Sequence, residues 1–472
     1  MTSSKRSMGR LFLVACTSAL TLSACAVGPD YRSPAVATET AFKEAADWTP
    51  ITPMDALDRG QWWSAYHDPV LDDLERRVQV SNQTLAAQVA AYKQAQDALA
   101  VSQSTLVPAF SGAASGKKSG GDATGAAGVT QSAYSATASA SWTADVWGKV
   151  RRQVEQARAN AQMSEADLAN VRLSLQSTLA SNYFQLRAVD AQRALFASTV
   201  ENDQKALDLT QHQYEAGVAA RGDVLSARSQ LETAKASLAD IASQRAQLEH
   251  AIAVLVGKAP ADFALAPAPL PDVVPTAPLN LASTLLQRRP DIASAERAVA
   301  AANAGIGVAK AAYFPSITLT GSDGSVSSKA KDLFKAGTQS WSYGASAAVT
   351  LFDFGAREAQ VRQSKSLYRQ KLAQYRQTVL SAFANVEDQI AVLRALESEI
   401  SLRDQALSDA REAEAIALNQ YKAGVVGYAS VLVAQNASLT AAQNRLTVQK
   451  ARLTASVGLI EALGGGWEAK AR

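Results

Sequence analysis

Few residues of this chain are of types that do chemistry, and their spacing narrows the choice further. The three histidines, His67, His212 and His250, fall in separate regions. No cysteine or acidic spacing completes a metal set around any of them, so they read as packing or surface residues. The stretch GIGVAK at Gly305 supplies two glycines of a nucleotide fingerprint, lacks the third and lies inside a helical pattern; close helix packing explains it better. No Ser/His/Asp arrangement has the strand–turn context of a nucleophile. No catalytic group, no metal and no cofactor is expected. The one position with a defined chemistry is Cys25. Lys5, Arg6 and Arg10 precede an apolar run, Leu11 to Leu22, as in a secretory signal. That signal closes on Leu22-Ser23-Ala24-Cys25, small residues before a cysteine, the pattern of a lipoprotein whose thiol receives acyl chains such as palmitate.

Residues 1–24 are thus expected to be a lipoprotein signal peptide, and 25–70 an N-terminal lipid-anchored segment. Ala26, rather than aspartate, follows the cysteine, which favours the outer membrane. Cys16 leaves with the signal and Cys25 carries lipid, so neither is free for a disulfide. Loss of the three basic residues takes Lys+Arg from 46 to 43, equal to the 43 acidic residues. A neutral mature chain gives no reason to expect nucleic acid. The mature sequence has no run of about 18 apolar residues, so any crossing of a membrane falls to strands.

The elements that must position Cys25 are duplicated. QYEAGVAARGDVLSA, from Gln213, returns as QYKAGVVGYASVLVA, from Gln420, an offset of 207 residues. The same offset pairs Pro108 with Pro315, Gly148 with Gly355, Arg187 with Arg394 and Gly257 with Gly464. A first repeat is read over 71–258, a linker over 259–280, a second repeat over 281–464 and a tail over 465–472. Each repeat has the same order: helices, a hairpin (about 105–146 and 312–354), a long helix (148–216 and 355–423), a turn and a return helix.

In the hairpins the period is two. Tyr134, Ala138 and Trp142 alternate with Ser135, Thr137, Ser139 and Ser141; Trp341, Tyr343, Ala345 and Ala347 alternate with Ser342 and Ser346. One face is apolar and carries aromatics near an end, as membrane strands do. Between the hairpins and the turns the spacing is three and four, without Gly or Pro. At 1.5 Å per residue, a helix over 148–216 is about 100 Å long, which calls for coiled-coil packing. Charges at i, i+3 such as Arg411 and Glu414 read as solvated faces. The fold class is α+β: a long antiparallel α-helical barrel continued by a transmembrane β-barrel, four strands per protomer. Four strands cannot close, so the chain must oligomerise.

Several stretches now resemble one family. CAVGPDYRSP (Cys25 to Pro34), WWSAYHDPVLDDL (Trp62 to Leu74), RRPDIASAE (Arg288 to Glu296), FPSITLTGSDG (Phe314 to Gly324) and ALGGGW (Ala462 to Trp467) stand in the order of the outer-membrane efflux proteins. The resemblance is to the TolC/OprM type and its NodT-like lipoprotein branch. It implies a homotrimer in outer-membrane lipid, a twelve-stranded barrel and a periplasmic helical barrel. It also implies a periplasmic adaptor (membrane fusion) protein and an inner-membrane RND-type pump as partners. The implied role is the exit duct of a tripartite efflux system for drugs or other small molecules, as in multidrug resistance. Export of metal ions or protein, or a purely structural periplasmic coiled-coil lipoprotein, are the alternatives.

Relatives carry an acidic residue in the second turn, in the pattern Leu-Asp-Ala; here Val433 stands in Leu432-Val433-Ala434, and Ser430 where others have aspartate. The gate is therefore expected at Tyr428, Ala429, Ser430 and Val433, closing by neutral contacts, with Arg221 and Asp223 of the first turn tying neighbouring helices. Gly217, Val218, Gly424 and Val425 form the tip turns, expected to touch the adaptor, with Tyr214 and Tyr421 beside them.

Overall fold

The computed structural model describes residues 26–35, 42–45, 61–120, 130–275 and 289–465; Cys25 and the signal lie outside the described residues. The helices are α1 (Pro69–Ser81), α2 (Gln83–Ser104), α3 (Lys149–Glu215), α4 (Arg221–Leu255), α5 (Pro290–Ala311), α6 (Ala356–Lys422) and α7 (Tyr428–Ala462). The strands are β1 (Ala109–Ser119), β2 (Gln131–Ala144), β3 (Ser316–Ser327) and β4 (Gln339–Ala348). α3 and α6 are both 67 residues long, and α4 and α7 both 35. α5, α6 and α7 each begin and end 207 residues after α2, α3 and α4.

Local chemistry sets the ends. The Asp68 carboxylate accepts from the amides of Val70 and Leu71 ahead of Pro69, an N-cap with proline at the first helical position. Asn82 serves two helices: its Oδ1 accepts from Leu85 N at 2.9 Å, and its Nδ2 donates to the Leu255 carbonyl at 2.7 Å. At the sheet, Asp145 receives the amides of Val150 and Arg151, and Asp353 those of Gly355 and Arg357. These carboxylates close the first turns of α3 and α6, where the orphan amides and the helix dipole favour an anion.

By compactness the chain divides into two units, each drawing on both sequence repeats. The first unit contains the sheet. Its order is β1-β2-β3-β4, antiparallel throughout, and β2–β3 pairing joins the two repeats. One register row runs Ser111–Ser139–Ser322–Ser342 across all four strands. Hydroxyls of Ser111 and Ser139 lie 2.8 Å apart, and those of Ser322 and Ser342 2.9 Å. The neighbouring row, Phe110–Ala140–Gly321–Tyr343, belongs to the other face. Where the strands meet the helices, Trp147 stacks on Phe314 at 4.8 Å and donates its indole N–H to the Pro315 carbonyl.

The segment after residue 25 is strapped to this unit. Val27 N donates to the Trp147 carbonyl at 3.0 Å, and buried Arg152 reaches Asp30 at 2.7 Å. Asn303 donates to the Pro29 carbonyl, and the Tyr31 hydroxyl to Glu296. Gly28 lies against Gly307, and a side chain on Gly307 would meet Arg152 and the Val27 carbonyl. The paired glycines of GIGVAK therefore admit close packing: Gly305 faces Gln156 of α3, and Gly307 faces both Arg152 of α3 and the strap.

The second unit has the large core. Trp63, Tyr66, Leu71, Leu74, Tyr183, Phe184, Ile252 and Leu453 are buried together, with the Tyr66 and Phe184 rings 4.8 Å apart. Beside it, the buried Asp190 carboxylate is held by Arg187 (3.1 Å), Arg245 (2.8 Å) and the Ala268 amide. The same arginines bind the carbonyls of Ala266 and Leu265, which pins the proline-rich connection to α3 and α4. In the second repeat, Arg394 binds the Glu44 carbonyl at 2.6 Å, so the N-terminal chain fills the corresponding place.

Gly257 and Gly217 both take the left-handed backbone, at φ +71° and +72°. A Cβ at Gly257 would overlap the Ser81 carbonyl, whereas one at Gly217 meets nothing within 4 Å. Gly217→Ala should cost about 1–2 kcal/mol from the backbone alone. Gly257→Ala should cost clearly more, because the α1–α2 junction must also move. Thermal unfolding of the two detergent-solubilised variants compares them directly; equal losses would contradict the collision.

Candidate functional site: the paired turns and the sheet

The two turns repeat one hydrogen-bond scheme. Val218 N donates to the Gln213 carbonyl at 2.8 Å and Gly217 N to Tyr214 at 3.0 Å. Val425 N donates to Gln420 and Gly424 N to Tyr421, each at 2.9 Å. This six-to-one and five-to-two pairing is the Schellman closure, which needs a residue at positive φ; Gly217 and Gly424 supply it at +72° and +75°. The turns lift Val218 and Val425 into solvent, 74 % and 72 % exposed.

Below the turns all four helix ends share one small core: Ala206 of α3, Ala227 of α4, Tyr421 of α6, and Tyr428 and Val431 of α7. Tyr428 is therefore not a lining residue. It is the first residue of α7, 2 % exposed, with its ring 5.5 Å from that of Tyr421. Its first-repeat counterpart is Arg221, which is exposed. The spacing that brings Tyr428 and Val431 inward turns Ala429, Ser430 and Val433 outward, with Val433 71 % exposed. Tyr214 is exposed, while its counterpart Tyr421 is buried and donates to Thr210.

Asp223 departs from the expected tie between neighbouring helices. Its carboxylate accepts from the Ala220 amide at 3.3 Å and so caps its own helix. The free amides at the start of α4 are the nearest donors, and a short side chain three residues in reaches them first.

Sequence reasoning passed over Asp203. It is 3 % exposed on α3, and its Oδ2 has no hydrogen-bond partner among the described residues. Burial, then the negative charge of Glu414, pushes its carboxyl up to about 6. Glu414 is half-buried beside it rather than on a fully solvated face. The Tyr428 hydroxyl is likewise buried without a partner, and burial, followed by the charge of Asp203, raises it to about 12. The only signal was a lone acid, with Ala410 at the corresponding place in the second repeat.

The sheet is the other half of the site. The apolar face is less uniform than the alternation suggests, because Asp323 pairs in register with Ala138 and Trp341 and accepts from Gln339 at 3.3 Å. Trp341 and Tyr343 stack at 5.4 Å on that face. Among the described residues no group of His, Cys, Asp and Glu could hold a metal, and no helix is long and apolar enough to cross a membrane.

Among the described residues the sheet leaves β1 and β4 unpaired on their outer sides, and each hairpin is followed by a 67-residue helix that ends in an exposed turn. Residues 74–258 and 281–465 match the family described as "Outer membrane efflux protein", and the chain belongs to that family. It is 30 % identical over 467 residues to the probable efflux pump outer membrane protein TtgC of Pseudomonas putida, covering 98 % of this chain and 96 % of that one. It is 32 % identical to the pyoverdine export outer membrane protein OpmQ of Pseudomonas aeruginosa, over 88 % and 89 % of the two chains. The solved outer-membrane channel OprN superposes with a TM-score of 0.86 at 29 % identity, covering 94 % of this chain and all of the other. The protein is an outer-membrane efflux channel that extends into the periplasm, with the α+β fold of those channels.

Ionisation of Asp203 predicts a pH response at the turns. Its folded value lies above the unfolded value near 4, so the native state holds the proton more tightly. Stability is greatest below about pH 4 and is lost as pH rises through about 6. Amide exchange near α3 residue 203 and α6 residue 414, corrected for intrinsic rate, should slow from pH 7 to pH 5. Asp203→Asn should abolish that change. A pH response that persists in the variant assigns it to another group.

Proposed function

We propose that this channel works as a lipid-anchored homotrimer, the passive exit duct for drugs or other small organic molecules delivered by an inner-membrane RND-type pump through a periplasmic adaptor. The observation that carries this reading is the pair of open edges: among the described residues β1 pairs only with β2, and β4 only with β3. Unpaired strand edges are not tolerated in lipid, where no water replaces the missing bonds. Two copies give eight strands with a side-chain-filled interior; three give twelve and a lumen. The family's members are channels, and this chain acts as one rather than as an enzyme.

Acylation at Cys25 fits the strap, which holds residues 26–31 against the sheet–helix junction at Trp147, Arg152 and Asn303. The hydroxyl row through Ser139 is read as facing water and the row through Ala140 as facing lipid. At the closed tip Ala429, Ser430 and Val433 supply a neutral constriction, while Val218 and Val425 present the adaptor contact. An uncharged ring lacks the attraction for multivalent cations that a carboxylate ring has.

Chemical crosslinking of the heat-resistant species should end at three copies; a ladder ending at two would overturn the twelve-stranded barrel. Asp323 beside Ala138 would neutralise an arginine placed there, so Ala140 is the cleaner probe of the lipid face. Ala140→Arg should destabilise assembly by roughly 2–4 kcal/mol near the midplane, and Ser141→Arg should be tolerated. Equal damage would reject the facing. Single-channel recording should show weak block by trivalent cations and strong block after Val433→Asp; block of the unaltered channel at micromolar concentration would reject the neutral gate.

A further inference from the structure

One end of the sheet has a chemistry of its own. Lys117 pairs in register with Ala133, Lys118 with Ser132, and Tyr134 with Ser327. The end of β1, the start of β2 and the β3–β4 connection therefore share the end of the sheet away from the helices. This end carries Lys117, Lys118, Lys329, Lys331 and Lys335 against a single carboxylate, Asp332, among the described residues. Asp332 is taken by Lys335 at 2.6 Å. The other four lysines have no ion-pair partner among the described residues. Beside them Phe334 is 81 % exposed.

The loop that holds Phe334 outward is built. Leu333 N donates to the Ala330 carbonyl and Val326 N to the Thr338 carbonyl. Thr338 Oγ1 lies 2.8 Å from the carbonyls of both Leu333 and Lys335, and Gly337 turns the chain at φ +95°. An ordered loop that keeps an aromatic ring in water, among unpaired ammonium groups, suits a surface with apolar depth and phosphate at its boundary. Lysine is a compact cation able to follow phosphates from any direction.

We propose that this end of the sheet docks phosphorylated glycolipid of the outer leaflet, with Lys117, Lys118, Lys329 and Lys331 on its phosphates and Phe334 in the upper acyl layer. The proposal rests on the strands crossing the outer membrane with the helices on the periplasmic side. The charge of the described residues at this end is one-sided, which suits an anionic surface. The lipid then fills the gap between the loops and the headgroups, and fixes the height at which the sheet sits.

The test is native mass spectrometry of the full-length protein extracted in mild detergent and supplied with bis-phosphorylated lipid A, dephosphorylated lipid A or inorganic phosphate. The unaltered protein should retain bis-phosphorylated lipid A and not the dephosphorylated form. Replacing the four lysines by glutamine should weaken retention about a hundredfold or more, since each basic residue at a charged surface contributes on the order of a fivefold step. Phe334→Ser should weaken it less, by a few-fold. Both variants should keep their heat-resistant assembly and conductance, which separates loss of the lipid site from failure of the channel itself. Equal retention of phosphorylated and dephosphorylated lipid A, or retention unchanged by the lysine replacements, overturns the proposal. Displacement of lipid A by millimolar inorganic phosphate also overturns it, because the site would then be one for the free anion.

Discussion

Every backbone N–H and C=O at the edges of β1 and β4 must find a partner, and no further strand among the described residues supplies one. This constraint orders the rest of the structure. Lipid cannot supply the missing hydrogen bonds, and a sheet of four strands is too narrow to bend back on itself. Under the homotrimer proposed above, further copies supply those partners through matching edges at a fixed register. Asp145 and Asp353 fix the starts of the two long helices where they leave the sheet. The duplication then makes the problem smaller, because β2 and β3 already solve within the chain the pairing that β4 and β1 must solve between chains.

The strap after residue 25 and the arginine clamps around Asp190 and Arg394 answer a second problem. Long helices with small seam residues gain little from any single contact, so they need cross-links at intervals. Arg187 and Arg394 occupy matched positions, yet one binds the proline-rich connection and the other the N-terminal chain. Duplication fixed the clamp, and whichever segment lay nearby became its cargo. A buried carboxylate such as Asp190 is costly unless fully paired; two guanidinium groups and an amide make it a strong geometric constraint.

Much of the fold was readable from punctuation. Gly217 and Gly424 announce the turns because a Schellman closure needs positive φ, and Pro108 and Pro315 mark where helix gives way to strand. Alternation over Tyr134 to Ala144 marks β2. The site was less legible, for reasons of the same kind. Helical periodicity could not tell whether Tyr428 faced the bore or the neighbouring helices, since it is a terminal residue with no preceding turn to set the phase. Asp203 gave no motif at all; its character comes from burial against Glu414 and Tyr428, which are more than 200 positions away. Asp323 stands in a stretch without clean alternation, and only strand register sets it beside Ala138. Gly305 and Gly307 do pack against a helix, α3, but the strap that also lies on Gly307 is distant in sequence and left no periodic trace.

The equal length of α3 and α6 carries a further consequence for how such a chain can change. One inserted residue advances a helix by about 1.5 Å and turns everything beyond it by about 100°. In either rod this would rotate Tyr421 or Ala206 out of the shared core and misalign one turn against the other. Gain or loss of residues inside α3 or α6 is therefore open only if both rods change together, or in multiples that restore the phase. The hairpin loops and the chain termini carry no such accounting. The rods behave as a ruler cut twice to one length, and variation in size among chains built in this manner belongs at the ends of the ruler.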